Sequence, residues 1–379
     1  ASSHGLNQNR LDGLIFDVGI FTNLSHDHLD YHKNFKNYLN AKLYLFENLL
    51  NKNSNIITDI TIPEYKKIKK ISLKNKLNLK TIGIKKGHLN IISHQYVDEK
   101  QIIKIKHKNN FYNIELNLIG KIQIKNLLMA MIAAEKSNIR FKNIIKIISE
   151  VKPVSGRFER IGKIINNSKV ILDYAHTPDA LKTCLQNLKD QFKNNKISIV
   201  FGCGGDRDKF KRPLMGKIVN KFCNKIYLTD DNPRKENPIK IRTSIKRKIN
   251  KSKLYEIPSR EKAIKEAIKN LLTGEILVVA GKGHENIQDY GNFKNFFSDK
   301  KSILKNIKQK NKYLSKDLKL NILKEESGQN NISLKTKLKN ASINSKEIKK
   351  NDIFFAIKGK KKDGNQYLSE VFNKKASLA

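Results

Sequence analysis

An α/β fold with a doubly wound parallel sheet is predicted over residues 153–310, and three observations predict it. Short apolar runs rich in Val, Ile and Leu alternate with segments of helical periodicity. Each apolar run stops abruptly at a loop of Gly, Asp, Asn, His or Arg. The intervals between runs leave room for a crossover helix each time, as parallel strands require.

The elements follow in order. "KVILDYAHTP" (169–178) is a strand ending in a turn. Thr177 then caps a helix with Pro178 at its first position. Leu181, Cys184, Leu185, Leu188 and Phe192 repeat at helical spacing behind it. "ISIVFGCGGDRD" (197–208) is the next strand with a glycine turn, and Leu214, Ile218 and Phe222 mark the helix after it. "KIYLTDD" (225–231) is a strand, "SREKAIKEAIKNLL" (259–272) a helix capped by Ser259, and "EILVVAGKGHE" (275–285) a further strand. Ligands of open α/β sheets bind beyond the carboxyl ends of the strands. The loops 173–177, 202–208, 230–234 and 281–285 are therefore expected to converge on one cleft.

Residues 1–152 are less regular. "LIFDVGIFTNL" (14–24) is a strand and runs into a loop of His and Asp. A helix follows with Phe35, Leu39, Phe46 and Leu49, then a lysine-rich segment with short strand-like runs to about 119, then the helix "NLLMAMIAAEKS" (126–137). Residues 311–331 read as a linker and 332–379 as the opening of another, incomplete small α/β domain. The chain starts without Met and is expected to be cut at both ends.

The composition narrows the class. With 379 residues, 39% hydrophobic, the chain is long enough for two or three cored domains. It has no apolar run long enough for a transmembrane helix and no signal peptide, so no membrane span is expected. The formal charge of +41 invites a nucleic-acid reading. The lysines, however, are mixed with Ile and Asn along the whole chain, without interleaved aromatic residues. A solvated basic surface with no nucleic-acid partner is the expectation. Cys184, Cys203 and Cys223 show neither zinc nor redox spacing; Cys184 falls on an apolar helical stripe. A reducing, cytoplasmic setting follows.

Several residues carry chemistry. Phe35, Leu39, Lys42, Phe46 and Leu49 are spaced 4, 3, 4, 3, which puts Lys42 on the buried stripe of its helix. A lysine there either snorkels to solvent or loses its charge, and a neutral amine is a nucleophile. "TNLSHDHLDYH" (22–32) gathers His26, Asp27, His28, Asp30 and His32, either a divalent-metal site or a solvated loop. "GCGGDRDKFKR" (202–212) is either a tight turn or an anion cradle of backbone N–H groups. It does not match GxxxxGK[ST], and no such phosphate loop occurs anywhere in the chain. "AGKGHE" (280–285) lets backbone approach a ligand closely, with Glu285 facing it. "TDDNPRKENP" (229–238) ends a strand in a rigid turn with two carboxylates and a guanidinium. Pro233 limits the freedom of that turn, and Arg234 is suited to clamp a carboxylate with two parallel hydrogen bonds while Asp231 and Glu285 take an ammonium.

The segments "SSHGLNQNR", "FTNLSHDHLDYH", "NAKLYLF", "SGRFERI", "LDYAHTPDALK", "VFGCGGDRDKFKRPLMG", "TDDNPRKENP" and "VVAGKGHENIQ" occur in the order of a Mur ligase. The chain resembles that family over residues 1–310. The resemblance implies a central ATP-binding domain over 1–152, lacking its phosphate-loop part, and a Rossmann-like ligase domain over 153–310. It implies an ATP- and Mg2+-dependent ligase of peptidoglycan synthesis. In that reaction the D-glutamyl carboxylate of UDP-N-acetylmuramoyl-L-Ala-D-Glu is phosphorylated and then attacked by the amine of meso-diaminopimelate. By resemblance, Lys42 is a carbamylated lysine holding magnesium and His28 is a histidine magnesium ligand. Ser2, Gln8 and Arg10 contact the UDP-muramoyl dipeptide. Asn126 meets adenine, Arg157 the nucleotide and Asp173 the ribose hydroxyls. Arg207, Asp231, Asn232, Pro233, Arg234, Gly281 and Glu285 form the amino-acid pocket. Asp-Asn-Pro-Arg goes with meso-diaminopimelate in this family. Gln123 stands where Asn is usual, and residues 55–115 match poorly.

"ASINSKEIKKNDIFFAIKGKKKDGNQYLSEVF" (341–372) resembles the start of another Mur ligase, with Asn344-Ser345-Lys346 in place of Asp-Ser-Arg. A fusion to the next ligase of the pathway is the expectation, and the chain by itself is not expected to turn over. The alternatives are an L-lysine-adding ligase, a folylpolyglutamate synthase, against which "DNPR" and "YAHTPDAL" speak, and a catalytically inactive scaffold in a cell-wall complex.

Overall fold

The computed structural model describes residues 1–25, 27–84, 86–316, 339–359 and 363–379. His26 and most of the expected linker fall outside them. The helices are α1 (Ser3–Asn7), α2 (Leu29–His32), α3 (Phe35–Asn48), α4 (Tyr65–Lys74), α5 (Lys121–Lys136), α6 (Phe141–Ile147), α7 (Pro178–Gln191), α8 (Lys211–Phe222), α9 (Pro238–Lys246), α10 (Arg260–Lys269), α11 (Asp299–Lys316) and α12 (Leu368–Asn373). Strands β1 (Phe16–Phe21), β2 (Leu50–Asp59), β3 (Asn78–Gly83), β4 (Leu89–Val97), β5 (Lys100–His107) and β6 (Asn110–Leu116) form one six-stranded sheet in that order. Strands β7 (Glu159–Arg160), β8 (Lys169–Asp173), β9 (Ile197–Phe201), β10 (Lys225–Leu228), β11 (Leu254–Glu256) and β12 (Ile276–Ala280) form a second, ordered β11-β10-β9-β12-β8-β7. Two short pairs complete the set: β13 (Ile287–Asp289) with β14 (Lys294–Phe296), and β15 (Ala341–Ser342) with β16 (Ile353–Phe354).

The second sheet is parallel from β11 to β8, and only the edge strand β7 runs antiparallel. Its central strands are buried at every position because helices cover both faces. Neighbouring residues go to opposite layers. Ile171 and Ile199 pack with α7, α8 and α9, whereas Leu172 and Val200 pack with α10 and α11. Thr177 and Ser259 cap α7 and α10 through their side chains, and Pro178 opens α7, as expected. Cys184, Cys203 and Cys223 are all buried, and burial pushes their thiols up, well away from reactive thiolates.

The first sheet is mixed. Strands β1 to β4 pair parallel, and β4, β5 and β6 form an antiparallel meander. Ile56 faces α3 and α4, and Ile57, one residue on, faces α5 and α6. The lysine-rich segment read only as short strand-like runs holds β2, the helix α4 and β3, and then this meander. Lysines on its outer positions mask a clean alternation, as in β5, where Ile103 and Ile105 point inward between Lys104 and Lys106.

Three expectations need correction. Phe35 does not belong to the buried stripe of α3: it is 46% exposed, and Leu39, Leu43 and Phe46 form the stripe instead. The inner face of α8 is Met215 and Val219, whereas Leu214 is exposed. Residues 311–316 belong to α11 rather than to a linker.

The bodies around the two sheets are tied at one edge. The Gly120 and Lys121 N–H groups at the start of α5 donate to Gln191 and Asn187 of α7 at 2.9 and 2.6 Å. Gln191 in turn donates to the Glu99 carbonyl at 2.9 Å. Farther along the chain, β15, β16 and α12 gather Ile348, Phe354 and Val371 into a small core of their own.

Candidate active site

The four strand-end loops do converge. Tyr174, His176, Gly202, Gly204, Arg207, Lys211, Asp231, Arg234, Gly281 and Glu285 line one cavity of about 320 Å³. His4, Asp27, His28 and Asp30, from the other body, close its opposite wall.

The loops are braced from behind. Gly205 lies against the Pro233 carbonyl so closely that a Cβ there would sit 1.8 Å from its oxygen. Any side chain at 205 would push the two loops apart. Arg212, 3% exposed, grips Glu236 with two parallel hydrogen bonds of 3.0 and 2.9 Å, and Glu236 also accepts from the Asp206 N–H at 2.7 Å. Asn232 joins the next loop: its Oδ1 accepts from Lys282 Nζ at 3.1 Å and from the Asp289 N–H at 3.0 Å, and its Nδ2 donates to Glu285 at 3.1 Å. Lys282 is wholly buried and donates also to Glu285 at 3.3 Å and to the Ile287 carbonyl at 2.5 Å.

This leaves distinct roles for the predicted pocket residues. Asp231 is 6% exposed, lines the cavity and has no side-chain hydrogen bond among the described residues. Gly281, at φ +111°, is held against it; a Cβ there would meet its carboxylate at 2.5 Å. Arg234 sits at φ +52°, uncommon for a residue with a side chain, and donates from Nη1 to the Gly205 carbonyl at 2.7 Å. It also lines the cavity. Arg207 is exposed beside it. Glu285 is more engaged than expected, since Tyr174, Asn232 and Lys282 all donate to it.

Behind this wall, Arg260 and Asp299 are both fully buried and share two hydrogen bonds of 2.8 and 2.7 Å. Arg260 also donates to the Ala280 carbonyl at 2.8 Å, at the strand end that presents Gly281. Arg260→Ala would leave Asp299 charged and unpaired in the interior. A loss of about 3–5 kcal/mol of unfolding free energy is expected, read from denaturant melts against the wild type.

On the opposite wall, His28 has φ +54° and its ring lies 4.8 Å from that of His4 and 6.0 Å from that of Tyr38. Burial lowers its pKa, against the pull of Asp27. Burial would raise the Asp27 pKa, but the hydrogen bond and charge of His176 and the charge of His28 outweigh it and bring it to about 2. Asp27 and His176 lie 3.6 Å apart and come from the two different bodies, a pairing that no sequence spacing announced. His32 is buried, stacked on Tyr38 and bonded to Ser3 at 3.0 Å.

Lys42 is half-buried. Its Nζ donates to the Asn23 carbonyl at 3.1 Å and lies 5.7 and 5.3 Å from the rings of Phe21 and Tyr38. Burial holds its amine below the ordinary lysine pKa, against Asp27 and Glu64. It shares Tyr38 and Asp27 with His28 but does not line the cavity itself.

The remaining predicted contacts lie outside the cavity. Ser2 accepts the Gly5 N–H at 3.0 Å and caps α1, Gln8 donates to Tyr31 at 3.1 Å, and Arg10 is exposed. Asn126 is exposed on α5, and the exposed Arg157 lies 4.4 Å over the Tyr174 ring. Gln123 bridges toward that region by donating to the Arg157 carbonyl at 3.2 Å. Asp173 lies at the end of β8. It is buried, and its two oxygens accept the Phe158 and Ala175 N–H groups at 2.8 and 2.9 Å. Burial pushes its carboxyl up, while those hydrogen bonds, one of them to the segment that carries Arg157, pull the other way.

A cleft between a mixed α/β body and a doubly wound one, with strand-end charges facing a histidine–carboxylate wall, defines a two-body α/β architecture. The family models agree: "Mur ligase middle domain" matches residues 1–134 and "Mur ligase, glutamate ligase domain" residues 156–283. The chain belongs to the Mur ligase family. It is 43% identical over 309 residues to the UDP-N-acetylmuramoyl-L-alanyl-D-glutamate--2,6-diaminopimelate ligase of Rickettsia montanensis, covering 81% of this chain and 64% of that protein. It is 41% identical over 323 residues to the ligase of the same name from Buchnera aphidicola subsp. Baizongia pistaciae, covering 82% and 62%. The chain thus spans somewhat under two thirds of these curated relatives. Among solved structures, a UDP-N-acetylmuramoyl-L-alanyl-D-glutamate--2,6-diaminopimelate ligase is 32% identical with a TM-score of 0.55, covering 82% of this chain and 63% of that one. The MurF ligase of Thermotoga maritima in complex with ADP has a TM-score of 0.60 at 15% identity, covering 81% and 65%, and shares the fold. No helix among the described residues is long and apolar enough to cross a membrane.

Proposed function

We propose that these residues belong to an ATP-dependent ligase that joins meso-diaminopimelate to UDP-N-acetylmuramoyl-L-Ala-D-Glu in the cytoplasm. The observation that carries this reading is that Arg234 and the Asp231 carboxylate, from one loop, line the same cavity as His28 and Asp27. Diaminopimelate has an ammonium–carboxylate centre at each end. Arg234 and Asp231 offer complementary charges to the distal centre, with Arg207 nearby. The Asn232–Lys282–Glu285 network keeps that fork in place before the substrate arrives, which lowers the entropy lost on binding.

A carboxylate is a poor electrophile, and ATP with magnesium supplies the phosphoryl group that converts it to an acyl phosphate. The amine of diaminopimelate then forms the amide bond as phosphate leaves with the C–O electron pair, and the amine loses a proton. The side chains fit this use. Lys42 has the lowered pKa that carbamylation needs and shares Asp27 and Tyr38 with His28, so the two would hold a magnesium ion between them. Arg157 and Asn126 would hold the nucleotide, and Ser2, Gln8 and Arg10 the UDP-muramoyl dipeptide. Residues 1–152 are assigned to the ATP-binding domain, 153–310 to the ligase domain and 332–379 to the start of a second Mur ligase.

The test is phosphate release from ATP by the full-length gene product. Release is expected only with both UDP-muramoyl dipeptide and meso-diaminopimelate present. Equal or faster release with L-lysine would overturn the specificity, and none with either amino acid would favour the scaffold reading.

A further inference from the structure

Away from the cleft, His88, His107 and Glu135 meet where the meander packs on α5. One ligand atom of each lies within 4.8 Å of the other two. The backbone brings them together. His88 immediately precedes β4, His107 ends β5 opposite Leu89, and Glu135 lies in the last turn of α5. Both Nε2 atoms lie close to the one carboxylate: His88 at 2.8 Å from Oε2 and His107 at 3.2 Å from Oε1.

The His107 nitrogen is the telling group. The residue is 4% exposed, its ring is stacked 3.9 Å from that of Phe141, and its Nε2 has no hydrogen-bond partner despite its nearness to Glu135. A buried imidazole nitrogen without a partner costs free energy, and native interiors rarely leave one. Stacking on Phe141 limits how far the ring can turn, and its Nε2 stays within 4.8 Å of the other two ligand atoms.

We propose that His88, His107 and Glu135 form a structural site for a divalent transition metal, with zinc as the best match. Two imidazoles and a carboxylate suit zinc, at bond lengths near 2.0–2.2 Å. Ligand atoms around a tetrahedral ion are then about 3.3 Å apart. The two short separations are close to that value, and His88, on a partly exposed loop, closes the widest one by a small rotation. Each ring would carry its proton on Nδ1 and offer Nε2 to the metal. The His88 hydrogen bond to Glu135 is exchanged for two coordinate bonds, and the open fourth position takes water. Lys136, 3.7 Å from Glu135, must swing outward, and Lys80 and Lys108 add further positive charge nearby. None of the three ligands lines the cleft. The ion would pin the β4–β5 hairpin to the helix whose other end carries Gln123 and Asn126.

The experiment is zinc titration of the metal-stripped full chain against a chromophoric chelator, with melting temperature read in parallel. One equivalent of Zn2+ is expected to bind and raise the melting temperature, with Mg2+ doing neither. His88→Ala and Glu135→Gln, both at partly exposed positions, are expected to weaken binding about a hundredfold and abolish the thermal shift; loss of even an outer-sphere partner costs 10- to 100-fold. Absence of stoichiometric uptake by the wild type would overturn the proposal. Unchanged uptake by the two variants would also overturn it, by placing the zinc elsewhere in the chain.

Discussion

Arg234→Ala in the full-length ligase is expected to lower kcat/KM for meso-diaminopimelate by roughly 100- to 1000-fold. Two charge-assisted hydrogen bonds to the distal carboxylate would be lost, together about 3–4 kcal/mol. L-Lysine lacks that carboxylate, so its kcat/KM should change less than about tenfold. The loops should survive the change. Arg234 contributes one bond to the Gly205 carbonyl, whereas Arg212, Glu236 and the Asp206 N–H hold the same turn without it. Arg234→Lys keeps the charge but not the planar fork, and an intermediate loss is expected. Equal losses for both amino acids would show that Arg234 supports the loop and does not read the substrate.

The doubly wound sheet was legible in the sequence because its strands are buried on both faces and read as unbroken apolar runs. The caps of α7 and α10, Thr177 and Ser259, are local signals of one residue. The meander was harder. One face of β4 to β6 meets solvent, and lysines there obscure the period-two pattern that Ile103, Ile105 and Ile114 keep on the other face. The strand-end rule brought Arg207, Asp231, Arg234, Gly281 and Glu285 to one cleft from loops far apart in sequence. It was silent on what those residues do to one another. Glu285 was read as an open carboxylate, yet a lysine with no solvent exposure donates to it. Asp173 accepts the Phe158 N–H from 15 positions away, a bond the sequence does not announce. The pairs Asp27–His176, Arg212–Glu236 and Arg260–Asp299 join residues 24 to 149 positions apart, and no local pattern encodes partners at such separations.

Lys42→Ala tests the other wall of the cleft, and a fall in kcat of about 100- to 1000-fold is expected, equivalent to about 3–4 kcal/mol of lost charge stabilisation. The reasoning starts from burial. An amine between Phe21 and Tyr38 is poorly solvated, so its neutral form is favoured relative to an exposed lysine, and only the neutral form reacts with CO2. The carbamate so formed is an anion and, beside His28, favours a divalent cation where a protonated lysine would repel it. Wild-type enzyme stripped of CO2 should therefore lose activity and regain it with bicarbonate, whereas Lys42→Ala should stay inactive under both conditions. Folding should be little affected. Lys42 gives up one hydrogen bond, to the Asn23 carbonyl, at the edge of a stripe that Leu39, Leu43 and Phe46 hold without it. If the variant melts within about 1 kcal/mol of wild type yet turns over at an undiminished rate, the lysine only snorkels, and magnesium must be held by other groups.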